Sequence, residues 1–126
     1  MQEQLYEFAV IRVVPKVERE EFLNAGVILF CKRKKFLRAF CVLSEHKLRA
    51  LCPETDAAQV LANLASLERI ASGTKDSGPI GQMEMAERFR WLTAVRSTVV
   101  QTSRPHPGFT DDPEITLERL LSELVL

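Results

Sequence analysis

Charge of one sign is what this sequence lacks most plainly: 17 lysines and arginines offset 17 aspartates and glutamates, for a formal net charge of zero. No overall field draws such a chain to nucleic acid or anionic lipid, so binding of that kind needs a local patch. Long hydrophobic runs are missing as well. AGVILFC, Ala25 to Cys31, falls far short of the ~20 apolar residues that span a bilayer. Met1 is followed by Gln2, Glu3 and Gln4, with neither the basic start nor the apolar stretch of a secretory signal, so a soluble cytoplasmic protein is expected. Cysteine is scarce: Cys31, Cys41 and Cys52 are an odd number without CxxC spacing, unlike a thiol–zinc motif or a disulfide framework. Glycine numbers only five. The chain holds no nucleophile elbow, no phosphate-binding Walker loop and no glycine-rich dinucleotide turn.

What is present fits one domain, residues 1–126, with 46% hydrophobic residues to build one core. The first third reads as strands. LYEFAVIRVV (Leu5 to Val14) is dense in β-branched and aromatic residues and stops at Pro15. PKVEREEFLN offers a short helical turn with Val17, Phe22 and Leu23 on one face. AGVILFC is apolar without interruption, as in a strand covered on both faces. KRKK then turns the chain, and FLRAFCVL (Phe36 to Leu43) returns as the second arm of a hairpin. In that hairpin Cys31 and Cys41 lie on the order of 15 Å apart, too far for a disulfide or a shared metal. They read as buried thiols acting as small hydrophobes, with Cys52, before Pro53, the more exposed.

The middle reads as helices. Ser44 caps EHKLRALC, and Asp56 with Gln59 resembles a capping box. Val60, Leu61, Leu64, Leu67 and Ile70 then form an apolar stripe up to Gly73. SGTKDSGPIG (Ser72 to Gly81) predicts a mobile loop. QMEMAERFRWL puts Met85, Ala86, Phe89 and Leu92 on one face, with Trp91 away from it. RSTVVQTS (Arg96 to Ser103) predicts a fourth strand, and PEITLERLLSELVL a last helix bearing Ile115, Leu117, Leu120, Leu121, Leu124 and Val125. The expected fold class is α+β: a small antiparallel sheet, made of an N-terminal three-stranded unit plus a later strand, packed with about four helices.

RPHPGFTDDP, Arg104 to Pro113, is where the chain looks most like chemistry. The simpler reading is a stiff connection into a helix, with Asp112 as N-cap, Pro113 in the first turn, and Asp111 and Glu114 near the positive end of the helix dipole. The functional reading keeps His106 with Asp111 as metal ligands or an acid–base pair, Glu20, Glu21 and Asn24 supplying further oxygens. His106, Asp111, Glu20 and Glu21 are thus the catalytic candidates, although an H-x4-D-D spacing is a weak ligand pattern. Arg12 and Arg38 each sit on an otherwise apolar strand face and need a carboxylate or water. Salt bridges to Glu20, Glu21 or the Asp111–Asp112 pair are the simpler outcome. An anion pocket built from Arg12, Arg38 and Arg96 with Ser97 and Thr98 is the sharper one. Lys32, Arg33, Lys34 and Lys35 form the one basic run. It reads as a solvated hairpin tip that discourages edge pairing, or as a contact to nucleic-acid phosphates.

YEFAVIRVVPKVEREEFLNAGVILF (Tyr6 to Phe30) and RFRWLTAVRSTVVQTSRPHPGFTDDPE (Arg88 to Glu114) resemble the two signature blocks of a bacterial family of unknown function, DUF3037. Val95 departs from that pattern, standing where a proline is expected. The resemblance carries over no assigned activity, and it leaves any cofactor unknown. It does imply a partner, because members are encoded near kinases resembling the HipA toxin type. The sequence therefore favours a non-catalytic interaction or regulatory module. A metal-assisted hydrolase or nuclease using His106 and nearby carboxylates is the first alternative, and nucleic-acid binding through the basic turn the second.

Overall fold

The uninterrupted apolar run of the second strand, AGVILFC, decides the layering. A computed structural model describes residues 2–126. In chain order it holds β1 (Gln4–Val13), a 3-10 turn (Val17–Arg19), β2 (Leu23–Cys31), β3 (Phe36–Cys41), α1 (Glu45–Leu51), α2 (Ala57–Ser72), α3 (Gly78–Gly81), α4 (Met85–Leu92), β4 (Val100–Thr102), β5 (His106–Thr110) and α5 (Pro113–Leu124). The fold is α+β, with a five-stranded antiparallel sheet in the order β3-β2-β1-β4 and β5 also paired to β1.

Ala9, Ile11 and Val13 of β1 point to one face, where they meet Ile28, Phe30, Leu37 and Ala39 beneath Leu48 of α1, Val60 and Leu64 of α2, and Phe89 and Leu92 of α4. Tyr6, Val27, Leu29 and Cys31 point the other way, against Leu117, Leu120, Leu121 and Val125 at α5 and its end. β2 therefore has helices over both faces, which is why its sequence does not alternate. Val27, Ile28 and Leu29 are wholly buried, each adding about 1.5–3 kcal/mol over an exposed position.

The helix ends follow the sequence. Ser44 accepts from the Lys47 N–H at 3.2 Å, and Asp56 from the Gln59 N–H at 3.2 Å. The Gln59 side chain turns to Asn63 instead of closing a capping box. Gly73, at φ 68°, ends α2 in the left-handed conformation that glycine adopts without strain.

Several expectations are corrected. His106–Thr110 is not a loop but β5: Phe8 lies opposite His106, Tyr6 opposite Gly108, and Gln4 opposite Thr110. The strand expected over Arg96–Ser103 narrows to Val100–Thr102. Within Ser72–Gly81 the chain forms the single-turn helix α3. Leu61, Ile115 and Phe22 are exposed despite their apolar spacing, whereas Cys52 is buried. Helical spacing defines a stripe, but how far the neighbouring layer reaches decides which of its edges is covered.

A proline in a strand becomes intelligible at a sheet edge. Among the described residues β5 pairs only with β1, so the missing N–H of Pro107 costs no ladder bond on the open side. Gly108 is needed for close approach: a Cβ there would stand 2.5 Å from the Tyr6 ring. Gly108→Ala is expected to lower unfolding stability by about 1–3 kcal/mol in urea titrations. In the Tyr6→Ala background the same change should cost clearly less, because the obstructing ring is gone.

Candidate functional site

Two irregularities converge on the middle of β1. On one side Ile11 faces Gly26 but Arg12 faces Asn24, leaving Ala25 as an extra residue. On the other, between Thr102 opposite Ile11 and His106 opposite Phe8, the outer strand carries one residue more than β1. There the Ser103 hydroxyl accepts from the Val10 N–H at 2.9 Å and donates to the Arg104 carbonyl at 3.0 Å. The Ser103 N–H completes the exchange by donating to the Val10 carbonyl at 2.8 Å. Bulges bend a strand and re-aim its side chains. The side chain beside both is Arg12.

Arg12 shares its row of the sheet with Asn24 and Gln101. The Asn24 amide donates to the carbonyl of Leu124 at 3.0 Å, marking where α5 ends. Beyond that point the connection between β1 and β2 folds over the row, and the Arg12 guanidinium stacks 4.2 Å from the centre of the Phe22 ring. A cavity of about 290 Å³ opens there, lined by Arg12, Val14, Val17, Glu20, Phe22, Ser97 and Gln101. The Arg12 Nε is buried without an acceptor among the described residues. Glu20, at φ 58° in the left-handed region, lines the same cavity yet forms no ion pair with Arg12.

The remaining candidate residues are dispersed. Glu21 pairs with Arg19 at 2.6 Å in solvent, and this contact draws the Glu21 carboxyl below its ordinary range. Arg38 pairs with Glu114 at the start of α5 and lies 5.4 Å from the centre of the Phe40 ring; its partner is thus neither Glu20 nor Asp111. Arg96 donates to the Trp91 carbonyl and stacks on that indole at 4.5 Å, so it does not join Arg12. Ser97 does line the Arg12 cavity.

His106 packs its ring 5.4 Å from the centre of Phe8. Because His106–Thr110 is extended, Asp111 lies about 16 Å further along the chain, while Glu20 and Glu21 lie beyond the opposite end of β1. Among the described residues no three histidine, cysteine, aspartate or glutamate side chains gather as a metal-binding group. Lys32, Arg33, Lys34 and Lys35 occupy an exposed turn without ion pairs among the described residues.

The acidic corner acts as a cap. The Asp112 carboxylate accepts from the N–H groups of Glu114 and Ile115 at 3.1 and 3.3 Å. Behind it the buried hydroxyls of Thr110 and Thr116 meet at 2.6 Å, and the Asp112 N–H donates to Thr110 at 3.0 Å. Phe22 and Gln101 were not legible as parts of a site, because the fold of the β1–β2 connection and the pairing of β4 with β1 bring them to Arg12.

On the other face a cavity of about 520 Å³ is lined by residues including Lys16, Cys52, Glu54, Gln59, Asn63 and Val99. The Cys52 thiol donates to Glu54 at 3.0 Å and is the main reason that carboxyl lies below its usual range. Cys41 behaves oppositely: burial, and then the nearby Glu68 carboxylate, push its thiol far above the usual range.

The model of a family described as a protein of unknown function, DUF3037, matches residues 8–125. No curated protein and no solved structure matches the chain.

Three outcomes follow from this geometry. Asp112→Ala is expected to cost about 1 kcal/mol of unfolding stability. Glu114→Gln, which removes a half-exposed ion pair, should cost under about 1 kcal/mol. Alkylation followed by mass spectrometry should leave Cys41 unmodified in the folded protein, with no faster labelling as pH rises from neutral to mildly alkaline, because the thiolate is the nucleophile. In urea Cys41 should label readily.

Proposed function

The chain belongs to the DUF3037 family of proteins of unknown function, and we propose that it works as a non-catalytic interaction module that docks a partner protein at the open end of its sheet. The observation that carries this reading is a pair of uncovered side chains. Leu5 and Phe109 are cross-strand partners, 54% and 68% exposed. They share the face that the α1–α4 layer covers further along. That cover reaches as far as Glu7, which α4 meets through Arg90 at 2.7 Å.

Scattered exposed leucines and phenylalanines are ordinary. An adjacent pair beside four cations without ion pairs among the described residues is a docking composition. The turn Lys32–Lys35 lies at the same end of the sheet, since β2 ends at Cys31, whose thiol contacts the Leu5 carbonyl at 3.5 Å. The complementary partner is a protein segment that is acidic and carries apolar anchors: its carboxylates steer the encounter, and its anchors fill the Leu5–Phe109 patch. The resemblance to a family encoded near HipA-type kinases makes such a kinase the first partner to test.

Calorimetry of the chain with that kinase is the direct experiment. Phe109→Ser should weaken binding at least about tenfold by removing the anchor contact. Arg33→Glu with Lys34→Glu should slow association and reduce its salt dependence. Equal affinity for parent and both variants, or no association at micromolar concentration, contradicts the proposal. Duplex DNA or RNA binding that ignores Phe109 and collapses with the charge reversals would replace it with a nucleic-acid reading.

A further inference from the structure

Four arginines are neither buried nor fully exposed: Arg12, Arg38, Arg88 and Arg96. Three of them donate to an acceptor. Arg38 reaches Glu114, Arg88 reaches the Met83 carbonyl at 2.7 Å, and Arg96 reaches the Trp91 carbonyl. Arg12 has no ion pair and donates to no acceptor among the described residues; its Nε, like that of Arg88, is buried unpartnered, but Arg88 has its Met83 bond and Arg12 has none. A guanidinium stays charged at every accessible pH, so it cannot escape that cost by losing a proton. The Phe22 face at 4.2 Å compensates part of the charge and fixes the plane of the fork. It supplies no hydrogen-bond acceptor in the plane.

We propose that the cavity in front of Arg12 binds a small oxyanion, a carboxylate or phosphate group on a ligand of metabolite size. The fork of a planar guanidinium matches two oxygens of such a group. Ser97 adds a hydroxyl that can donate, and the volume of about 290 Å³ admits a small molecule but not a folded segment. The Gln101 amide nitrogen is occupied by the Thr98 carbonyl at 2.6 Å, which holds that side chain in place beside the fork. The bulge at Ala25 sets Arg12 opposite Asn24 at the rim of this cavity. Glu20 lines the same space with like charge to the ligand and limits affinity for multiply charged anions. This site goes beyond the docking reading and lies towards the opposite end of β1 from Leu5, so either proposal can fail without the other.

The test is an NMR titration of the whole protein with inorganic phosphate and, separately, with acetate, following the Arg12 Nε–H resonance. A saturable shift of that resonance with either anion is expected, and the tighter of the two identifies the preferred group. Arg12→Gln should weaken binding at least about tenfold, Arg12→Lys less, and Glu20→Gln should strengthen it for both anions. An Nε–H resonance unmoved by both anions at millimolar concentration overturns the proposal, and so does unchanged affinity in Arg12→Gln. Should Arg12→Gln fail to fold, the parent titration and Glu20→Gln decide the matter by themselves. An anion that binds the parent and Glu20→Gln alike would also count against this cavity.

Discussion

Backbone hydrogen bonding along both edges of β1 is the constraint on which the rest of this structure depends. β2 satisfies one edge over seven register pairs, and β4 and β5 satisfy the other in two shorter runs. A strand paired on both sides can carry apolar residues on both faces, and β1 does so with Ala9, Ile11 and Val13 on one and Tyr6 and Val10 on the other. The outer edge is supplied by the most proline-rich part of the chain. Prolines fit there because the second edge of β5 needs no donors, and they blunt an edge that would otherwise invite pairing with another chain. The same segment sets the position of α5. Thr110 ends the strand and bonds to Thr116 in the first turns of the helix, so strand and helix share a corner that carries the chain from the edge onto the opposite face.

The seam in that outer edge bears on function. Where β4 passes into β5, Ser103 replaces a regular ladder step with its hydroxyl, and across the sheet Ala25 makes a second bulge. Arg12 lies beside both. Two features that a folded domain ordinarily avoids therefore stand near the two ends of one strand: an apolar pair without cover at Leu5, and a guanidinium without an acceptor at Arg12. They are separated by about 23 Å of extended backbone. One suits a protein surface and the other a small oxyanion. Chemistry that requires His106 and Asp111 in one place is poorly served, because the strand that aligns His106 with Phe8 stretches the chain between them.

How much of this was legible in the sequence depends on the range of the interaction. The strands of the N-terminal hairpins, the caps at Ser44, Asp56 and Asp112, and the α4 face with Phe89 are local patterns, and they could be read directly. β5 was hidden because proline and glycine are local signals for a turn. Its strand character comes from β1, about a hundred residues earlier in the chain, and from the Tyr6 ring lying over Gly108. The outward positions of Leu61 and Ile115 depend on where neighbouring layers stop, which periodicity does not encode. At the candidate site Arg12 and Ser97 were legible as an arginine on an apolar face and a nearby hydroxyl. Phe22 and Gln101 were not: the fold of the β1–β2 connection brings Phe22 over Arg12, and the pairing of β4 with β1 sets Gln101 opposite it.

Amide hydrogen exchange at Val10 and Ser103 tests the pairing of β1 most directly, since the N–H groups of both residues bond across the seam. If the proline-bearing edge is an integral strand, both amides exchange as slowly as those of Ile28 and Leu29 in β2, through global unfolding. Exchange at Val10 and Ser103 as fast as in the exposed turn Lys32–Lys35, with β2 still protected, would mean that the outer edge opens independently. The account of the seam, the corner and the Arg12 site would then be contradicted.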